Sequence, residues 1–227
     1  SDGTTSTGGQ LILNANGSLI SLGEPIDIRG AGESGGNTQP GLLAQQGRVT
    51  NNGTILLDGS STYRLEIKAI TIANTYLDVE AGMARSGTNS GPLVLEVDGN
   101  GSTTPAQLIM NSPIDNNGGA VTLMGTNLSM LQVNTSGNDL GDFTINGVSG
   151  GATSLTTLQL GVSDALAINQ NLTIMQGAFN LDGFHQTVNA LTVSANGTVE
   201  MAVNRTDAAA TNGYLVVNGT VSVSGSA

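Results

Sequence analysis

Aliphatic residues recur at every second position in short runs along most of this chain. Leu11-Ile12-Leu13, Ile26-Asp27-Ile28, Thr54-Ile55-Leu56-Leu57, Leu65-Glu66-Ile67, Leu77-Asp78-Val79 and Leu93-Val94-Leu95-Glu96-Val97 carry the pattern in the first half. Val121-Thr122-Leu123, Phe143-Thr144-Ile145, Leu172-Thr173-Ile174, Leu191-Thr192-Val193, Val199-Glu200-Met201-Ala202-Val203 and Val221-Ser222-Val223 carry it in the second. Alternation with period two is the signature of a half-buried strand, and no useful length shows helical periodicity. The chain is therefore expected to be all-β.

Between the runs lie turn formers. Asn-Gly occurs at 16–17, 52–53, 100–101, 117–118, 146–147, 196–197, 212–213 and 218–219, and Asp-Gly at 2–3, 58–59, 98–99 and 182–183. Both dipeptides supply the positive φ angles of tight turns. One phrase returns four times, as Ala15-Asn16-Gly17-Ser18-Leu19, Asn51-Asn52-Gly53-Thr54-Ile55, Ala195-Asn196-Gly197-Thr198-Val199 and Val217-Asn218-Gly219-Thr220-Val221. A recurring phrase points to a repeat architecture. The expected fold is a right-handed parallel β-solenoid (a β-helix), with an antiparallel β-sandwich as the alternative. At about 20–25 residues per coil the chain makes roughly ten coils, with Asn, Ser and Thr stacking in ladders at the corners at the ~4.8 Å strand spacing. No composition break divides residues 1–227, which read as one solenoid domain, or a segment of a longer chain. Residues 30–39, 84–92 and 99–106 read as loops projecting from corners.

Composition narrows the function. Hydrophobic residues make up 38%, but aromatics only 3% with no Trp, which suits a narrow interior of stacked Leu, Ile and Val. The net charge is −11, and the six basic residues Arg29, Arg48, Arg64, Lys68, Arg85 and Arg205 form no cluster. Nucleic acid is excluded as an expected partner, because binding it requires Lys and Arg against phosphates; anionic membrane surfaces are disfavoured for the same reason. No apolar stretch approaches transmembrane length, so membrane insertion is not expected. The start, SDGTTSTGG, lacks the basic and apolar regions of a signal peptide, so an exported protein would be represented by a processed chain or fragment. Cysteine is absent, which removes disulfides and thiolate metal sites.

Two segments carry a family resemblance. Residues 177–201 contain Gly177, Phe179, Leu181, Gly183, Gln186, Thr187, Val188 and Leu191, followed by Gly197-Thr198-Val199. They resemble the autotransporter-associated β-strand repeat, "G-x-L-x-L-x-G-x-x-Q-T-V-x-x-L" with a Gly-Thr-Val return. Residues 108–146, with Pro113-Ile114, Asn117-Gly118-Gly119 and Val121-Thr122-Leu123, resemble the coils of filamentous-haemagglutinin-like adhesins. The resemblance implies a parallel β-helix on the bacterial surface serving adhesion, aggregation or display. It assigns no active-site residue, and the stretch from Tyr63 to Glu80 departs most from it.

Candidate chemistry rests on carboxylates. Glu66, Asp78, Glu80, Glu96 and Asp98 sit on alternating segments, where stacked strands could pair an acid with a base or gather oxygens for Ca²⁺. A solvated outer face explains them more simply, with Lys68 relieving repulsion at Glu66. Asp98-Gly99-Asn100-Gly101-Ser102 has the oxygen spacing of an opening calcium loop but no closing Glu, since residue 109 is Ile; a plain turn is the favoured reading. Asn138-Asp139-Leu140-Gly141-Asp142 brings two acids together in a loop. His185 is the only histidine, which argues against zinc, and it reads as a surface residue at the Gly183–Gln186 corner. Gly30-Ala31-Gly32 and Gly35-Gly36 are followed by no Lys or helix and make no phosphate loop.

The expected function is therefore a non-enzymatic, extracellular structural or adhesive solenoid on a bacterial cell surface. No catalytic, cofactor-binding or metal residue is assigned, and Ca²⁺ stands as the one cofactor alternative. Expected partners are further copies of the chain, end to end or side by side, and a host-cell or polysaccharide ligand. The alternatives are a self-assembling filament or sheath subunit, and a polysaccharide-binding or -cleaving β-helix protein.

Overall fold

The computed structural model of this chain describes residues 10–28, 40–58, 62–101, 104–148, 155–201 and 213–225. Every element in them is a strand. The first turn of the chain comprises β1 (Leu11–Asn14), β2 (Leu19–Leu22) and β3 (Ile26–Ile28), and the second β4 (Leu42–Gln45), β5 (Arg48–Asn51) and β6 (Ile55–Leu57). The third has β7 (Tyr63–Lys68), β8 (Tyr76–Val79) and β9 (Met83–Arg85); the fourth, β10 (Leu93–Asp98), β11 (Ala106–Met110) and β12 (Ile114–Asp115). The next two have β13 (Val121–Thr126) with β14 (Ser129–Val133), and β15 (Phe143–Val148) with β16 (Thr156–Leu160). The last contain β17 (Asn171–Asn180), β18 (His185–Val188), β19 (Ala190–Glu200), β20 (Tyr214–Val217) and β21 (Val221–Val223).

Among the described residues all strand pairings are parallel, and strands of successive turns lie on one another except where the third face is interrupted between β12 and β18. The chain therefore does not make the antiparallel sandwich kept as an alternative. Leu11, Leu42, Leu65, Leu95, Leu123, Ile145, Ile174, Val193 and Val223 stand in one column on the first face. On the second face the column is Ile20, Val49, Leu77, Leu108, Leu131, Leu158, Phe179 and Val199. Ile26, Ile55, Met83 and Ile114 make the third. The inward residues form one hydrophobic cluster running from Ala15 to Val193. Period-two alternation makes this possible, since a slip of one residue would turn each aliphatic column to solvent.

The turns are less regular than expected. Successive residues of the Leu11 column are separated by as many as 31 positions (Leu11 to Leu42) and as few as 19 (Ile174 to Val193). Nor is the interior purely aliphatic: Tyr63, Phe143 and Phe179 are its largest fully buried side chains.

Two of the Asn-Gly pairs are not turns. Asn16-Gly17, Asn117-Gly118 and the Asp182-Gly183 pair have positive φ, as turn chemistry requires. Asn146-Gly147 and Asn196-Gly197 instead lie inside β15 and β19. A Cβ on Gly147 would meet Thr156 Oγ1 and lie 2.6 Å from Thr156 Cβ. Glycine here makes room for the buried hydroxyls of Ser129 and Thr156, which bond to each other at 3.1 Å across one corner of the interior. Higher up, β17 and β19 run unbroken from the first face to the second, joining the two faces into one large, nearly closed parallel sheet.

Residues 84–92 were expected as a projecting loop, but Ala84 and Arg85 belong to β9. Arg85 takes the inward position held by Leu57 one turn earlier and is only 4% exposed. Its Nε donates to Asn116 Oδ1 at 2.7 Å, an NH2 donates to the Gly91 carbonyl at 3.0 Å, and the guanidinium lies 4.9 Å from the Tyr63 ring. Burial pushes its pKa down from the ordinary arginine value. Residues 99–106 also end in a strand, at Ala106 in β11. Residues 30–39, with the Gly30–Gly32 and Gly35-Gly36 motif, lie outside the described residues.

Corner ladders form as expected. Asn111 Nδ2 donates to Glu80 Oε1 at 2.8 Å, Asn134 Nδ2 to Asn111 Oδ1 at 2.8 Å, and Gln132 Nε2 to Asn134 Oδ1 at 2.9 Å. Each bond crosses or supports adjacent levels, so the ladder satisfies side-chain amides while fixing register.

Candidate functional site

The five carboxylates singled out from the sequence do not converge. Glu66, Glu96 and Asp98 project from the first face, whereas Asp78 and Glu80 belong to the second. On the first face Glu66 and Glu96 are register neighbours, as are Lys68 and Asp98. Arg64 forms an ion pair with Glu96, and Lys68 Nζ lies 3.1 Å from Glu66 Oε1. Asp98 Oδ1 accepts from Thr126 Oγ1 at 2.8 Å. On the second face, Asp78 is half-buried and Glu80 exposed.

The solvated-face reading needs correction at two of these positions. Glu66 is only 7% exposed and the Glu96 side chain 12%. Both point outward, but Leu43 flanks Glu66 and Met124 flanks Glu96 in register, and the Arg64 pair lies alongside. Burial raises the Glu96 pKa above the ordinary carboxylate range, and Asp98 adds to the effect while Arg64 opposes it. Asp78 is raised too, first by burial and then by Glu80, against Arg48. Lys68 is raised chiefly by its hydrogen bond to Glu66.

These shifts set a pH dependence. A carboxyl whose pKa is higher folded than unfolded binds more protons in the native state. Its contribution to stability is full below the unfolded pKa and is lost as pH rises through the raised folded value. Urea midpoints should therefore decline from about pH 4 upward across the carboxylate range. Glu96→Gln combined with Asp78→Asn should flatten that decline; an unchanged slope would show that other groups control it.

A second cluster lies where the third face is interrupted. That face is a ladder of β3, β6, β9 and β12 at one end and of β18 and β20 at the other. Between them, among the described residues, backbone pairing is reduced to an Asp115–Asp139 bridge and a hydrogen bond from the Asp164 N–H to the His185 carbonyl at 2.8 Å, and side-chain amides supply other cross-level contacts. Asn138 Oδ1 accepts from the Ile114 N–H at 2.7 Å, while its Nδ2 donates to the Ala165 carbonyl. The buried Gln186 accepts from the Leu166 N–H at 2.9 Å and donates to the Leu166 carbonyl at 3.1 Å. Gln186 opens the Gln186-Thr187-Val188 phrase, and its side chain here bonds both backbone groups of Leu166 as a neighbouring strand would.

The interruption leaves an open groove of about 490 Å³. Asp139, Asp142, Asp164, Leu166, Ile168 and Gln170 are among its lining residues. Asp142 accepts from the Asn171 N–H at 3.1 Å and from Asn171 Nδ2 at 3.2 Å. Asp164 Oδ1 accepts from the Thr187 N–H at 3.0 Å, and its Oδ2 lies 3.0 Å from His185 Nε2. Asp139 is exposed at the rim. The sequence showed Asp139 and Asp142 as a loop pair but gave no sign of Asp164 or Gln170. These come from the next turn of the chain, and only the register brings them together.

His185 is more than a surface corner residue: it opens β18, and its ring stacks on Tyr214 with centroids 5.1 Å apart. Ser163 Oγ accepts from the His185 backbone N–H at 3.3 Å rather than meeting the ring, so Ser163, His185 and Asp164 do not form a nucleophile-base relay. In the sequence considered for calcium, Asp98 turns toward Thr126 on the neighbouring strand, and Ser102 lies outside the described residues. Among the described residues no three His, Cys, Asp or Glu side chains are grouped closely enough to hold a metal ion, and no helix is long and apolar enough to cross a membrane. Comparison with protein-family models, with characterised proteins and with solved structures found no match.

Proposed function

We propose that this chain is a right-handed parallel β-solenoid that acts as a non-enzymatic structural or adhesive rod on a bacterial cell surface. The observation that carries the reading is the unbroken in-register column from Leu11 to Val223. Parallel strands stacked turn upon turn are stabilised by cross-turn backbone hydrogen bonds and a continuous core, which makes a stiff element from a short repeat. The right hand follows the general preference of parallel crossovers. The surface location and adhesive task rest on the resemblance of residues 108–146 and 177–201 to adhesin coils.

Two measurements test it. Electron microscopy of the purified chain should show short stiff rods, and beads coated with it should adhere to cells or extracellular matrix. Globular particles with no adhesion would contradict the reading. Incubation with acidic and neutral polysaccharides, with and without Ca²⁺, should give no cleavage; reproducible cleavage would favour the enzymatic alternative.

A second reading has its own observation. Leu11, Ile12 and Leu19 on the first level are exposed, as are Tyr214, Val221 and Val223 on the last. Strand edges bearing apolar side chains are templates for pairing with another chain, and head-to-tail pairing that does not close produces filaments. Concentration-dependent lengthening of the rods would support a self-assembling filament subunit, and rods of one length at every concentration would remove it.

A further inference from the structure

We infer that the groove between Asp139 and Gln170 is a binding site for a saccharide that carries hydroxyls and no acidic group. The inference deepens the adhesive reading above and rests on it only for where the saccharide would be met. Two independent observations carry it. The first is the groove itself, which exists because the third face loses its ladder between Asp115 and His185. Its volume of about 490 Å³ falls within the range of small-ligand sites.

The second is Gln170. It forms part of the groove wall, is only 3% exposed, and neither its Nε2 nor its Oε1 has a hydrogen-bond partner. A buried amide left without partners loses its hydration with nothing in return, so such a residue in a native fold calls for an explanation. Gln170 also departs from its column. Extending the Phe143–Leu172 register back by two residues places Gln170 over Gly141, and Gly141 packs against Gly118 and Gly119. A long amide thus stands where the preceding turns use glycine.

The lining selects the ligand class. Asp139 offers an exposed acceptor, Gln170 in the wall carries an unpartnered donor and acceptor, and Ile168 is exposed beside them. Hydroxyl groups of a sugar donate to a carboxylate and exchange hydrogen bonds with an amide, while the sugar's C–H face packs on an aliphatic side chain. Among the described residues no Lys or Arg lines the groove, and three carboxylates do, so uronates and sulfated sugars are repelled.

The test is ¹H–¹⁵N NMR titration of the whole chain with cellohexaose, chitohexaose, maltohexaose and hexagalacturonate. At least one neutral oligosaccharide should shift the Gln170 side-chain amide and the backbone of residues 137–142 and 164–170, and hexagalacturonate should not. Gln170→Leu and Asp139→Asn should each weaken that binding at least tenfold. Gln170→Leu should also leave the thermal midpoint unchanged or raised, because it removes an unsatisfied amide, whereas a purely structural glutamine would lower it. No groove shift with any neutral sugar up to about 10 mM, beyond millimolar affinity, would overturn the inference and point to a trapped water as the amide's partner. So would equal binding by both variants, preferential hexagalacturonate binding, or a marked loss of stability in Gln170→Leu. The rod reading is decided separately by imaging.

Discussion

Gly147→Val should be among the most destabilising single substitutions in the chain, lowering stability by about 3 kcal/mol, the upper part of the range for overpacking a tight core. The added side chain would point from β15 into Thr156 on β16, where even a Cβ falls 2.6 Å from the threonine Cβ. Both residues sit in a corner that neither face can widen alone, because β13 and β17 flank β15, and β14 and β17 flank β16. Urea denaturation of Gly147→Ala, Thr156→Ala and the double variant reads this contact as a double-mutant cycle. A coupling of about 1 kcal/mol or more is expected, since contacting residues are not additive. Additive effects would mean that the two faces do not touch across this corner.

The second large effect is expected at Arg85. Arg85→Ala removes the guanidinium from Asn116, from the Gly91 carbonyl and from the Tyr63 ring. Hydrogen bonds to a charged group are each worth about 1.5–3 kcal/mol, and the emptied volume adds a cavity term, so a loss of about 3–4 kcal/mol is expected in denaturant melts. Arg85→Met should recover at least half of it, because apolar replacements of buried charge are often near neutral. If methionine proves no better than alanine, the polar contacts rather than the filled space dominate.

The expected placement of Arg85 in a projecting loop, residues 84–92, shows where sequence pattern stops. A basic residue after Met83-Ala84 in a Gly-rich stretch reads as loop, and only the register with Leu57 turns it inward. The first face was legible because its inward columns, such as Leu95, Leu123 and Ile145, are apolar at nearly every level. The second face was much less so. Ser129 and Thr156 point inward in β14 and β16, while Met130 and Ile109 face outward, so the alternation of hydrophobicity is blurred although the alternation of burial is intact. The corner glycines Gly147 and Gly197 were misread as turns because Asn-Gly has the same spelling in either role. The groove escaped for another reason: Asp139 and Gln170 are a full turn apart, and no local pattern predicts which residues a turn of irregular length will bring level.

The account depends most on adjacent turns being parallel and in register, and engineered disulfides measure that directly because the chain has no cysteine. Thr122, Thr144 and Thr173 stand in one outward column on consecutive levels. Neighbouring strands lie about 4.8 Å apart, within disulfide reach, whereas two levels, about 9.6 Å by the same spacing, exceed the roughly 7 Å limit. Under mild oxidation the Thr122→Cys/Thr144→Cys and Thr144→Cys/Thr173→Cys chains should close an intramolecular disulfide, and Thr122→Cys/Thr173→Cys should remain reduced. Failure of both adjacent pairs, or closure of the skipped pair alone, would contradict the stacked register on which the fold and the groove rest.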